Sequence, residues 1–307
     1  MPEIYDLIIV GSGPAGLSAA IYGVRAKLNL LVIEKEMMSG GQIINTYEVD
    51  NYPGLMGING FDMAVKFREH AEKLGAVFAE ETVTGIEKKE NGLFQVRCAH
   101  QTYETKTVII ASGAHHSLLN VPGETELGGK GVSYCATCDG AFYKNKVTAV
   151  VGGGDVALED AIFLSRLCRK VYIIHRRNEF RGAKILQETL LSTENIEPVW
   201  DSVVDRINGT DAVSSLSVRN VKTGVRKELE VNGVFIAVGI VPDAEGFDLV
   251  SRDEKGYIVA GEDGRTSVPG IFAAGDVRTK GLRQIVTAVS DGANAVTSVE
   301  KFLTEKR

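Results

Sequence analysis

Apolar residues come in short dense runs that stop at glycines, and that rhythm predicts strands feeding tight turns. Ile4-Tyr5-Asp6-Leu7-Ile8-Ile9-Val10 reads as a core strand meeting Gly11-Ser12-Gly13-Pro14-Ala15-Gly16. A helix follows, with Pro14 suited to its first turn. Leu30-Leu31-Val32-Ile33 is the next strand, ending at Glu34. The plan repeats further on. Val147-Thr148-Ala149-Val150-Val151 is a strand, Gly152-Gly153-Gly154-Asp155-Val156-Ala157 is the turn, and a helix runs through Leu158 to about Leu167. Val171-Tyr172-Ile173-Ile174 closes this second unit. Two strand–turn–helix–strand units of this kind predict an α/β protein with two Rossmann-like, three-layer nucleotide-binding domains. Ala111-Ser112-Gly113-Ala114 and Ala237-Val238-Gly239 look like strand ends where the chain could cross between domains, and Gly128-Gly129-Lys130-Gly131 is a loop near the first crossing.

Length and composition agree with two domains. The chain has 307 residues, 44% hydrophobic and 24% charged, with a net charge of −6. That balance offers no basic surface to nucleic acid or an anionic membrane. No apolar run is long enough to span a bilayer. The first apolar run leads into a glycine turn rather than a cleavage site, so the expected setting is the cytoplasm.

The ends of the two units differ in charge. Gly11 permits the tight turn, Gly13 lets a pyrophosphate approach the backbone, and Gly16 lets helix and strand pack closely. Glu34 stands where a carboxylate accepts hydrogen bonds from a ribose diol. The second unit ends in His175-Arg176-Arg177, with Arg181 four residues later. A carboxylate there would repel a ribose 2′-phosphate, whereas guanidinium groups pair with it. The first site therefore suits FAD or NAD and the second suits NADPH.

Of four cysteines, two lie in Cys135-Ala136-Thr137-Cys138-Asp139-Gly140. Two thiols at this spacing in a cytoplasmic chain mark exchange chemistry more than a structural staple. They are half of a zinc site at best, with no second pair, so no metal is expected. A single helical turn is expected to begin near Ala136. Cys98, in the alternating Phe94-Gln95-Val96-Arg97-Cys98, is expected to face a core from a strand. Cys168 follows Ala157, Ala161 and Leu164 at helical spacing and is expected on the buried face of that helix. A dithiol beside two dinucleotide sites needs a carrier that turns a hydride into thiol chemistry, which makes FAD the better occupant of the first site.

These motifs, with Gly40-Gly41-Gln42, Asn51-Tyr52-Pro53-Gly54 and Gly270-Ile271-Phe272-Ala273-Ala274-Gly275-Asp276, resemble the low-molecular-weight thioredoxin reductases over essentially the whole chain. The resemblance implies a discontinuous FAD domain, residues 1–115 and 245–307, with an NADPH domain inserted at 116–244 that carries the dithiol. It implies FAD contacts from Gly11, Ser12, Gly13, Pro14, Ala15, Gly16, Glu34, Lys35, Gly41, Gln42, Asn51, Gly113, Gly275 and Asp276. Arg283, Gln284 and Ile285 would start a helix whose N-terminus faces the flavin. NADPH would be held by Gly152, Gly154, Asp155, Ala157, His175, Arg176, Arg177 and Arg181. Cys138 would face the flavin, Cys135 would exchange with the partner, and Asp139 would serve the leaving thiolate as acid or base. The partner implied is thioredoxin or a similar small redox protein, and the enzyme a homodimer. One domain would rotate against the other through linkers near 114–118 and 242–247. Two redox alternatives remain: a reductase of a peroxiredoxin or glutaredoxin-like carrier, and a flavin dithiol oxidase. The first normally carries an extra N-terminal thioredoxin-like module, which this chain would lack. The second would need no nicotinamide site. A non-catalytic NADPH sensor, from another class, fits the dithiol poorly.

Overall fold

The computed structural model describes residues 3–46, 49 and 51–305. The chain forms two compact units, residues 1–115 with 241–307, and residues 116–240.

The first unit opens with β1 (Ile4–Val10), α1 (Pro14–Arg25) and β2 (Leu30–Glu34). A 3-10 turn (Gly41–Asn45), α2 (Gly60–Lys73) and β3 (Val77–Glu80) follow, then β4 (Val83–Lys88), β5 (Phe94–Cys98), β6 (Thr102–Ile110) and β7 (Ala114–His116). The second unit contains β8 (Val132–Ser133), α3 (Ala136–Asp139), β9 (Val147–Gly152), α4 (Asp155–Ser165) and β10 (Lys170–Ile174). It continues through α5 (Lys184–Leu191), β11 (Ile196–Val199), β12 (Ser202–Gly209), β13 (Val213–Asn220), β14 (Arg226–Glu230) and β15 (Gly233–Ala237). The chain returns through β16 (Ile240–Pro242), which pairs with β7, and finishes with β17 (Ile271–Ala273) and α6 (Ile285–Glu305).

In the first unit the sheet order is β3-β2-β1-β6-β5-β4. β1, β2, β3 and β6 run parallel, while β5 and β4 are antiparallel additions. β6 carries β5 along its first half and β17, in parallel, along Val108–Ile110. Strands covered on both faces need continuous apolar runs, which is why Leu7, Ile8 and Ile9 are all fully buried. One face packs on α1, α2 and α6 through Leu17, Ala71 and Val299. The other is covered by Ile86, Phe94 and Val96 of the antiparallel strands and by Phe247 and Ile258 of the returning segment.

The second unit is built in three layers. Its parallel sheet, β11-β10-β9-β15-β8, has helices on one face, where Leu158, Ala161 and Leu164 of α4 meet Val150 and Ile173. The antiparallel sheet β12-β13-β14 covers the other face through Ile207, Leu216 and Val218. The architecture is thus α/β with two Rossmann-like sheets.

Two local expectations change, and one holds. α4 stops at Ser165, so Cys168 is buried beyond the helix rather than on it; its amide still bonds the Leu164 carbonyl, which preserves the helical spacing. α6 begins at Ile285, leaving Arg283 and Gln284 in the approach to it. Cys98, as expected, faces the core from a strand, half-buried at the end of β5.

Candidate functional site

The first cradle is formed where β1 meets α1. Gly11 has φ of +101°, and a Cβ there would lie 2.4 Å from the Ala111 carbonyl oxygen. A Cβ on Gly16 would lie 1.9 Å from the Gly11 carbonyl oxygen, so helix and strand meet only because both residues are glycine. Gly13 caps α1, with Pro14 and Ala15 in the first turn; a Cβ on Gly41 would come within 3.6 Å of the Gly13 Cα, while a Cβ on Gly13 would meet only the Gly40 carbonyl oxygen at 4.0 Å. The first N–H groups of a helix have no partner within it, so the start of α1 offers donors beside this bare backbone. Glu34, at the end of β2, accepts from the Ser12 amide and hydroxyl, both at 2.7 Å, and from the amides of Lys35 and Glu36. The loop and the strand end are therefore held as one piece, with the Lys35 side chain in solvent. The Gln42 amide nitrogen donates to the Ala114 carbonyl. Asn51 donates to the Gln284 side chain at 2.9 Å, and Gly113 takes a left-handed φ of +79°.

The C-terminal segment supplies a polar wall to this unit. Gly275 lies against Ala15, and its amide donates to Asp291 at 3.0 Å. Asp291 also receives Nε and Nη2 of Arg278 and Nζ of Lys280, all within a buried cluster. Asp276 sits beside it with Oδ1 buried and unpartnered. Burial pushes the Asp276 carboxyl above its ordinary range, against the pull of Lys280 and Arg283. The Arg283 guanidinium rests 4.1 Å from the centre of the Tyr257 ring and reaches the carbonyls of Lys280 and Arg278. Gln284 precedes α6, accepting the Ala288 amide, and Ile285 begins the helix against Ile43 and Met63.

The second cradle is formed where β9 meets α4. A Cβ on Gly152 would strike the Ala237 carbonyl and the Ala157 methyl, while Gly154 caps α4 with open space before it. Asp155 accepts the Ala183 amide at 2.7 Å, and the Arg181 amide donates to the Gly153 carbonyl at 2.7 Å. These bonds fold the 176–183 segment back over the glycine turn. Arg176, Arg177 and Arg181 are exposed, and among the described residues none of them forms an ion pair. His175 is turned inward instead, its ring filling the space left by the missing side chain of Gly153. Burial, with Arg181 nearby, pushes its pKa below the ordinary value, so the ring is neutral at neutral pH.

The dithiol lies in the same unit. Cys135 and Cys138 are joined as a disulfide, with Cys135 capping the single turn of α3 and a 3-10 turn, Gly140–Tyr143, following directly. Asp139 is drawn back over this turn: its amide bonds the Cys135 carbonyl, and Oδ2 accepts the Ser133 hydroxyl at 2.6 Å. Burial raises the Asp139 carboxyl above its ordinary range, and the Ser133 bond partly offsets this. The geometry sets a disulfide that can open and close beside a buried carboxyl held on the same turn. Among the described residues no cluster of His, Cys, Asp and Glu could hold a metal ion, and no helix is long and apolar enough to cross a membrane.

The sequence profile of the pyridine nucleotide-disulphide oxidoreductase family matches residues 5–292. The chain belongs to this family. Within these oxidoreductases it groups with the low-molecular-weight thioredoxin reductases. It is 46% identical to the thioredoxin reductase of Listeria innocua over 310 residues, covering 99% of this chain and 95% of the relative. It is 44% identical to that of Bacillus subtilis over 309 residues, covering 99% and 96%. The crystal structure of the Streptococcus pyogenes thioredoxin reductase superimposes with a TM-score of 0.91 at 44% identity, over 99% of this chain and all of that one.

Several polar residues of this oxidoreductase escape a motif search. Asp291 was visible only as a charge on the otherwise apolar stripe Ala288, Gly292, Ala295, Val299 of α6. Arg278 and Lys280 looked like loop charges. Ser133 gave no signal beyond standing two residues before Cys135.

Proposed function

We propose that this oxidoreductase passes electrons from NADPH, by way of FAD, to the Cys135–Cys138 disulfide and on to the disulfide of thioredoxin or a similar small redox protein. The Cys135–Cys138 disulfide on the α3 turn, with Asp139 folded over it, carries the proposal. FAD suits the first cradle: the uncrowded Cβ position of Gly13 at the start of α1 leaves backbone for a pyrophosphate, and the orphaned Asp276 Oδ1 is an acceptor for a ribityl or ribose hydroxyl. NADPH suits the second, where Gly154 opens the helix N-terminus and Arg176, Arg177 and Arg181 stand free for a 2′-phosphate. On this reading the unit formed by residues 1–115 and 241–307 is the FAD domain and the inserted unit the NADPH domain.

FAD, when bound, converts a hydride into an electron pair that thiols accept. The protein's own residues do the rest. As the disulfide opens at Cys138, Asp139 gives its proton to the departing Cys135 thiolate; burial that favours the protonated carboxyl equips it for this. Asp139, now a carboxylate, takes that proton back, and the Cys135 thiolate attacks the partner's disulfide, expelling one partner thiolate and forming a mixed disulfide. The Cys138 thiolate attacks Cys135, expels the second partner thiolate and closes the ring again. Two electrons reach the partner, and its two thiolates are protonated from solvent. The segments crossing at residues 115/116 and 240/241 would serve as pivots between the two half-reactions. A disulfide engineered to lock the units should keep FAD and lose turnover, and full turnover in the locked form would rule the motion out.

Cytoplasmic location and a homodimer complete the proposal, the latter checked by light scattering. The test of function is turnover of purified protein with NADPH and NADH against thioredoxin, a peroxiredoxin, a glutaredoxin and oxygen. NADPH-driven thioredoxin reduction is expected. Colourless protein that takes up no flavin would overturn the proposal, as would electrons passing only to oxygen.

A further inference from the structure

We propose that Ser133 is a positioning residue for the dithiol chemistry, holding Asp139 and Cys135 in register through a single hydroxyl. This rests on Asp139 being the proton donor and goes beyond it by naming the group that sets where the donor points and when it is charged. Ser133 is 5% exposed and ends the two-residue strand β8, which is fixed in parallel to Phe235 of β15. Its Oγ lies 2.6 Å from Asp139 Oδ2, 3.1 Å from the Cys135 amide nitrogen and 3.3 Å from the Cys135 carbonyl. A hydroxyl has one hydrogen. The shortest contact, to a carboxylate, takes it, as charge-assisted O–H···O bonds of that length do. The oxygen then accepts the Cys135 amide. With the Asp139 amide bonded to the Cys135 carbonyl at 3.1 Å, the three residues close a ring of hydrogen bonds around the exchanging cysteine.

Little else around Asp139 can do this. Tyr143 faces it from the following 3-10 turn and stays protonated, its pKa raised by burial and then by Asp139 itself. On α4, which packs on this turn, Leu164 and Phe163 stand against Gly140 and bring no charge. Asp160, also on α4, has its carboxyl raised to about 7 by burial and by its neighbour Glu159. β15 brings Phe235. Burial alone would leave the Asp139 carboxyl protonated over a wider range, and the Ser133 hydroxyl counters that by stabilising the charged form. Loss of the hydroxyl therefore moves the Asp139 titration to higher pH.

The experiment compares wild type with Ser133→Ala, Ser133→Thr and Asp139→Asn. Two quantities are read across pH 5–9: the rate of disulfide opening in FAD-loaded enzyme, and the infrared carbonyl band of the protonated Asp139 carboxyl in oxidised, flavin-free protein. Ser133→Ala should move both to higher pH by about one unit, the equivalent of one charge-assisted hydrogen bond. Ser133→Thr, which keeps the hydroxyl, should restore them. A uniform fall in rate with the titration unmoved would overturn the inference, because a purely structural role predicts that result. A pH limb that survives in Asp139→Asn would instead sink the Asp139 assignment. If that limb vanishes in Asp139→Asn while Ser133→Ala leaves both readouts in place, Ser133 alone is misassigned.

Discussion

Replacing Asp291 by Asn tests whether the buried charges of the C-terminal segment hold the first cradle together. Asp291 is 5% exposed and carries four donors: Arg278 Nε and Nη2 at 2.9 and 2.6 Å, Lys280 Nζ at 2.9 Å and the Gly275 amide at 3.0 Å. Asn keeps the shape and loses the charge, leaving two buried cations with Asp276 as their nearest anion. Removing one partner of a buried ion pair costs about 3–5 kcal/mol. At about 2–4 °C per kcal/mol for a unit of this size, the melting point should fall by about 6–20 °C. The assay is thermal unfolding of flavin-free protein followed by circular dichroism at one scan rate. The pH dependence gives a second check. Burial works against the charge on Asp291, but the hydrogen bonds from Arg278 and Lys280 outweigh it and hold the carboxyl below its usual range. A depressed native pKa contributes stability in full above the unfolded value of about 3.9, and that stability is lost as pH falls through the native value. The gap between wild type and variant should therefore be constant from pH 5 to 8 and narrow only in stronger acid. A melting point within about 2 °C of wild type, or a gap that fades inside pH 5–8, would refute the reasoning.

Cys138→Ser should retain FAD and NADPH-dependent reduction of an artificial dye while thioredoxin reduction falls to background; unchanged disulfide reduction would contradict the assignment. Arg176→Glu with Arg177→Glu should raise KM for NADPH at least about ten-fold relative to NADH, since each lost charge-assisted bond is worth about 1.5–3 kcal/mol and about 1.4 kcal/mol is ten-fold in affinity. Equal losses for both nucleotides would exclude recognition of the 2′-phosphate. Gel filtration of the loaded enzyme should leave FAD on the protein and strip NADP+; loss of both together would place the two cradles in one affinity class.

What could be read from the chain was set by chemistry that admits few residues. Gly11 and Gly16 were legible because backbone meets backbone there and no side chain fits, and Cys135 and Cys138 because two thiols at that spacing close a ring. The parallel strands were legible because burial on both faces demands unbroken apolar runs. Helix ends were less so. Cys168 keeps the spacing of α4 through its bond to Leu164 although the helix has already stopped. His175 read as part of a basic cluster, yet the empty side of Gly153 draws its ring inward, and only a packed structure shows that space. Ser133 and Asp291 act through partners far along the chain or across a turn, Asp291 reaching back to Arg278 and Gly275. Such pairings are set by tertiary packing and leave no local spacing to read.

The two cradles share a backbone plan, and the difference between them lies in how their charges are committed. In the first, Glu34 already accepts four hydrogen bonds from its own loops, close to the capacity of a carboxylate. A ribose hydroxyl would enter there by replacing the Ser12 hydroxyl, a swap of one donor for another. The adjoining wall is equally preset, with Arg278 and Lys280 both paired to Asp291 in the interior and, among the described residues of this wall, Asp276 left with an open oxygen. A site whose charges are paired before the ligand arrives loses little conformational freedom on binding and holds its occupant long. In the second, Arg176, Arg177 and Arg181 remain in solvent, unpaired among the described residues, on a turn fastened through backbone amides. Long hydrated side chains must be ordered each time they close on a phosphate, which weakens binding and speeds release. A resident electron carrier needs the first arrangement. A nucleotide exchanged in every cycle needs the second, so the proposed division of labour between FAD and NADPH fits which charges are buried and which are left exposed.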